Sequence, residues 1–219
     1  FYAESTLENK ARQWLTGSTL WQDFERHLAS NGVSVYRFDE GKPAMSDTER
    51  AVRFIHDLEQ RFGTTGADLP QLLYLALPGS AQSTARPEEG YPYAESAAAD
   101  NDYALGKVLE YLSTTKSWKQ MAVFIVDANA GDGVDHIDVD RAPALCAGPW
   151  AKRNSVAHEN IGLAGILKTV SAIFHTPNLN LSEASASLAS GCFQAAPDTE
   201  GYRLLQVDKR IYDPERAKP

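Results

Sequence analysis

The sequence predicts an α/β fold, a mainly parallel sheet with helices on both faces. Three observations carry this. Apolar runs of strand length alternate with stretches of helical periodicity along the chain. The main strand candidates, "LLYLALP" and "MAVFIV", are continuously apolar, as strands covered on both faces must be. The chain has 219 residues, 43% of them apolar, enough to build one sizeable core, so residues 1–219 are read as a single domain.

The elements follow in order. "TLWQDFERHLASNG" is an amphipathic helix with Leu20, Trp21, Phe24 and Leu28 at helical spacing, closed by Gly32. "VSVYRF" alternates like a strand. "SDTERAVRFIHDLEQRFG" offers Ser46 or Asp47 as N-cap, with Val52, Ile55, Leu58 and Phe62 on one face. "LLYLALP" runs into the loop "GSAQSTARPEEGYP", and a long helix follows from Tyr93 to Thr114 with Tyr103, Leu105, Val108 and Leu112 inward. "MAVFIVD" and "APALCAGP" are further strands, "NIGLAGILKTVSAIFH" is a helix, and residues 178–219 form a mostly irregular tail.

Composition narrows the function classes. A formal net charge of −8 argues against nucleic acid, whose phosphates need a basic face. No apolar run approaches the ~18 residues that cross a bilayer, so no transmembrane segment is expected. The opening "FYAESTLENK" lacks the basic start and apolar core of a signal peptide. The two cysteines, Cys146 and Cys192, form no Cys-x-x-Cys motif. Cys146 sits in "PALCAG", where a free thiol behaves as a small hydrophobe. A Cys146–Cys192 disulfide is the other reading, open to an exported chain.

The chemistry concentrates in "VDANAGDGVDHIDVDR", which follows the "MAVFI" strand and holds the ligand-type residues Asp127, Asp132, Asp135, His136, Asp138 and Asp140. In open α/β sheets ligands bind at the carboxyl ends of the strands. Of the two such loops, after Leu77 and after Val126, only the second is rich in ligand types. The spacing is one residue too long for an EF-hand loop. The bland reading gives Asp135 and His136 to a turn, and pairs Asp138 and Asp140 with Arg141 or leaves them solvated. Ser80 and Ser83 have no histidine neighbour, and no Gly-x-Ser-x-Gly elbow occurs.

"LPGSAQSTA…AAADNDYALGKVLEYLSTTKSW", "AVFIVDANAGDGVDHIDVDRAPALCAGPWAKR" and "VAHENIGLAGILKTV" resemble the bacterial phosphoesterases of the alkaline phosphatase superfamily, of the phospholipase C and acid phosphatase type. The "ADNDYALGKVLE" and "DHIDVDRAPAL" segments are the most specific matches. The resemblance implies an alkaline-phosphatase-like fold, with the family's first strand and early metal ligands upstream of Phe1. Carried over residue by residue, most of the machinery is missing. The family's acidic pair after the strand falls on Ala128 and Asn129; Asp135 and His136 keep its Asp-His, and Asp140 stands for the second histidine before Arg141. The later Asp-His is Ala157-His158, and the Asn-Asp-His of the Leu-Pro loop is Gly79 to Ala81. Near the start, Phe1, Tyr2 and Trp14 match, Glu8 stands at the nucleophile position, and Ala11 and Arg12 replace Gly-His.

Phosphoryl transfer in this superfamily needs metals that neutralise phosphate oxygens and an activated oxygen nucleophile. Ala128 has no donor atom, Asn129 offers one neutral carbonyl, and the charge of Glu8 would repel a phosphate. The first expectation is therefore a catalytically degenerate phosphoesterase-like protein. It would be a structural or binding component of an exported or cell-surface assembly, with other protein subunits as partners and no cofactor. The four Trp and nine Tyr supply material for a contact face. The first alternative is a divergent metal-dependent phosphoesterase whose Asp127, Asp135, His136 and His158 hold zinc or manganese. The second is a calcium-dependent interaction module built on the acidic loop.

Overall fold

The computed structural model describes residues 18–38, 45–66, 68–81, 84–127 and 142–217. Its elements are α1 (Ser18–Ser30), β1 (Val35–Phe38), α2 (Asp47–Phe62), β2 (Leu72–Leu75), α3 (Ser96–Thr114), β3 (Val123–Val126), β4 (Ala144–Ala147), α4 (Leu163–Ile173) and α5 (Leu181–Ser185), with short 3-10 turns between them. The fold is mixed α/β. Its strands form two two-stranded sheets among the described residues, β1 with β2 and β3 with β4. The chain divides into two compact units: Phe1–Val35 with Met121–Asp198, and Tyr36–Gln120 with Thr199–Pro219.

In the first unit, α1 buries Phe24 and Leu28 completely, and Gly32 at φ +84° closes it with its N–H on the Ala29 carbonyl. The ring Nε2 of His27 donates to the Pro177 carbonyl at 2.7 Å. Glu183 of α5 is buried against α4, where its carboxylate accepts from the Ser171 hydroxyl (2.6 Å) and the Leu179 N–H (2.7 Å).

The β3–β4 pair corrects the expectation of parallel strands here. It is antiparallel, with Val123 opposite Ala147 and Val126 opposite Ala144. The Asp127 N–H donates to the Pro143 carbonyl at 3.3 Å, extending the ladder by one step. Apolar runs suggested strands covered on both faces. Yet Ala144 and Leu145 are exposed (Leu145 by 59%), a pattern that an antiparallel ladder tolerates and a buried parallel sheet does not.

In the second unit, Ser46 caps α2 by accepting from the Glu49 N–H at 3.1 Å. The buried face of α2 is Asp47, Arg50, Ala51, Phe54 and Leu58, while Val52 is 49% exposed, so the apolar stripe lies one step from the expected phase. That face packs on α3, which buries Ser96, Ala97, Asp100, Ala104, Val108 and Leu112. β1 and β2 add Phe38, whose ring stands edge-on to Phe54 at 5.6 Å.

The C-terminal segment of the second unit, from Thr199, has irregular backbone and is packed. Tyr212 is fully buried, with its ring 5.1 Å from that of Tyr91. Tyr202 meets Trp118 edge-on at 5.7 Å, and the Tyr202 and Leu204 N–H groups donate to Ser113 Oγ and Glu110 Oε1 of α3.

Candidate functional site

Most residues singled out from the sequence lie outside the described residues: Glu8, Arg12, Ala128, Asn129, Asp135, His136, Asp138 and Asp140. Asp127, the last described residue before the acidic stretch, is exposed at the end of β3. Ala157 and His158 are exposed in an irregular run before α4. Ala81 ends the 3-10 turn Pro78–Ala81 that follows β2. Among the described residues no three His, Cys, Asp or Glu side chains come together as a metal would need. Asp127 and His158 are thus not joined there by a third ligand.

Cys146 and Cys192 are brought together as free thiols, both half-buried. Burial pushes the Cys146 thiol up to about 12, and the neighbouring Cys192, in hydrogen-bonding contact with it, adds to the rise.

The most developed polar centre is one the sequence reading missed. It sits where the N-termini of α2 and α3 meet the loop after β2. Asp47 is 0% exposed, and its carboxylate accepts from the Gly79 N–H at 2.9 Å and from Asn101 Nδ2 at 2.9 Å. Arg50 Nε stands 3.3 Å from the other oxygen, in a buried ion pair. Asp100, 2% exposed, accepts from the Asp47 and Thr48 N–H groups at 2.9 Å each and from the Tyr91 hydroxyl at 2.9 Å. Asn101 also donates to the Leu77 carbonyl at 3.0 Å.

Local sequence explains the arrangement. Asp47 and Asp100 stand in phase with apolar stripes, Asp47 with Ala51, Phe54 and Leu58, and Asp100 with Ala104, Val108 and Leu112. Helical periodicity therefore turns both carboxylates inward. Once inside, each must be bonded, and the unsatisfied N–H groups at the start of α2 supply Asp100 with donors. Desolvation raises the Asp47 carboxyl above its ordinary 3.8, ahead of the opposing pull of Asn101 and Gly79; burial likewise raises the Tyr91 and Tyr212 hydroxyls. A detectable signal was present: an acidic residue in register with an apolar helix face.

Chemically the centre is a clasp. All four carboxylate oxygens are engaged by internal donors, so neither acid is presented to a substrate or a metal. What it fixes is the turn Pro78–Ala81, through Gly79 and Leu77. Gly79 has no alternative there, because a Cβ would stand 2.7 Å from the Asp47 carboxylate.

Comparison of the chain with family models, with curated proteins and with solved structures gave no match.

Proposed function

We propose that the chain is a catalytically degenerate, phosphoesterase-like scaffold that acts as a structural or binding component of an extracytoplasmic protein assembly. The observation that carries this reading is the clasp around Gly79. The loop after β2 is where the resembled enzymes carry Asn-Asp-His; here it reads Gly79, Ser80 and Ala81. The carboxylates of the clasp, Asp47 and Asp100, are buried and committed to backbone N–H, Asn101 and Tyr91 donors. The loop is held in place, while the Asn-Asp-His that would act from it in the resembled enzymes does not occur in it.

The acidic stretch supports the same reading through its donor set. Ala128 cannot ligate, Asn129 is a weak neutral ligand, and Asp140 replaces an imidazole. These residues do not fit the metal centre of an active phosphoesterase.

Elemental analysis of the purified protein for zinc, manganese, iron and calcium, paired with a phosphate-ester hydrolysis assay, tests the proposal. The expected result is substoichiometric metal, unchanged by His136→Ala, and no metal-dependent hydrolysis. Near-stoichiometric metal that disappears in His136→Ala, together with hydrolysis that tracks the protein, would establish the divergent enzyme instead. A calcium-dependent rise in Tm without hydrolysis would establish the interaction module.

A further inference from the structure

Away from the clasp, the β3–β4 ladder and the segment after α5 bring together the two cysteines. Phe193 forms an antiparallel bridge with Ala151, flanked by the Lys152 N–H on the Cys192 carbonyl and the Gln194 N–H on the Trp150 carbonyl, both at 2.8 Å. This lays residues 192–194 alongside residues 150–152. The Phe193 ring then meets Phe124 edge-on, with centroids 6.1 Å apart. Phe124 is the cross-strand partner of Cys146, so both project from the same face of the ladder. Cys192, one residue before Phe193, is thereby delivered to Cys146, and the two thiols touch.

We infer that Cys146 and Cys192 are a dithiol site that small-molecule disulfides oxidise to an intramolecular disulfide, clasping β4 to the turn Ser190–Cys192. The backbone bridge and the Phe124–Phe193 contact hold the two segments together independently of any sulfur chemistry. A satisfied buried cysteine needs no second cysteine beside it, and the chain places its only two in contact.

The exchange balances without a further reagent. A thiolate attacks one sulfur of R–S–S–R, forming a mixed disulfide and expelling R–S⁻, which takes up the proton the attacking thiol released. The second thiol loses its proton and attacks the protein sulfur of the mixed disulfide. The Cys146–Cys192 bond forms, the second R–S⁻ leaves, and it too is protonated. Two electrons and two protons pass from the protein to two R–SH. Burial disfavours the Cys146 thiolate, which suits Cys146 to the resolving step rather than to the first attack. Cys192 is held by its own thiol, which donates to the Ala189 carbonyl at 2.9 Å.

The test equilibrates the wild-type protein in mixtures of reduced and oxidised glutathione, traps free thiols by alkylation, and maps peptides by mass. The expected result is loss of both alkylatable thiols together, a Cys146–Cys192 cross-linked peptide lighter by two hydrogens, and no retained glutathione. Tm should rise by about 5 °C or more, because the bond closes the chain over residues 147–191. Reduction should reverse each change. Two variants check the order of steps: Cys146→Ser should take up glutathione faster than Cys192→Ser, and each should retain the adduct. Thiols that stay alkylatable in the most oxidising mixture overturn the inference. So does glutathione retained on the wild type, or cross-linking only between chains. The wild-type map alone decides it, should a variant fail to fold.

Discussion

The Asp100 carboxylate accepts the backbone N–H of Asp47 at 2.9 Å, so an acidic side chain of α3 closes the first turn of α2 from outside that helix. Ser46 already caps α2 in the ordinary way, at Glu49. The additional donors, Asp47 and Thr48, are among those a helix start leaves unsatisfied, and the positive end of the helix favours the carboxylate. Helix packing and helix capping thereby become one interaction.

Asp100→Asn tests this directly. One amide oxygen keeps a single acceptor face, while the amide nitrogen turns donors toward N–H groups or the Tyr91 hydroxyl. A loss of about 1–3 kcal/mol is expected from the denaturation midpoint. A loss within a few tenths of a kcal/mol would mean that Ser46 caps α2 unaided.

Asp47 gives the pH dependence. Its carboxyl is raised above 3.8 by burial, so the folded chain holds this proton more tightly than the unfolded one. Asp47's contribution is therefore fully present below 3.8 and is lost as pH rises through the folded value. The stability of wild type minus that of Asp47→Asn should increase as pH falls from about 8 towards 4. A difference that is flat, or that shrinks on acidification, would mean that the Gly79, Asn101 and Arg50 contacts outweigh desolvation.

Gly79→Ala should strain the clasp. The added Cβ would stand 2.7 Å from Oδ2 and 2.8 Å from Cγ of Asp47, a carboxylate fixed by its partners and unable to swing aside. Overpacking of this kind costs about 1–3 kcal/mol. Thermal melting measures it, and the double variant with Asp47→Ala should recover part of the loss, since the clashing atoms are then gone.

Tyr212 separates packing from hydrogen bonding in the tail. Its hydroxyl lies 3.2 Å from the Thr48 hydroxyl, and its ring is wholly buried. Tyr212→Phe should cost about 0.5–1.5 kcal/mol and Tyr212→Ala about 3–5 kcal/mol. Equal, small effects in urea unfolding would show that the tail lies loosely on the second unit.

Several of these features were visible in the sequence and several were not, for identifiable reasons. Helix positions were legible because each carries its own period: Phe24 and Leu28 of α1, Val108 and Leu112 of α3, and the Ser46 cap all lie where the spacing puts them. Strand direction was not legible. A short apolar run such as Val123–Val126 is compatible with either ladder, and its partner is chosen by tertiary contacts. The α2 stripe was misphased because Val52 and Ile55 are more apolar than Ala51, although Ala51 is the residue buried. The clasp is hard to see in the sequence because Asp47 stands at a helix start, where an acid ordinarily caps, and only its register with an apolar face marks Asp100 as a core position. Residues selected for metal chemistry, Asp127 and His158, proved exposed, as their acidic and irregular surroundings permit.

Tyr212 reaches Thr48 across 164 positions of sequence, and the second unit takes in residues on both sides of the intervening Met121–Asp198. During synthesis, α2 and α3 emerge before Tyr212, with their shared face open where it will sit. At about 5–20 residues per second, the ribosome needs on the order of ten to thirty seconds to travel from the end of α2 to that tyrosine. Over that interval the nascent chain carries an incomplete core, which makes it a client for chaperones until Tyr212 has emerged.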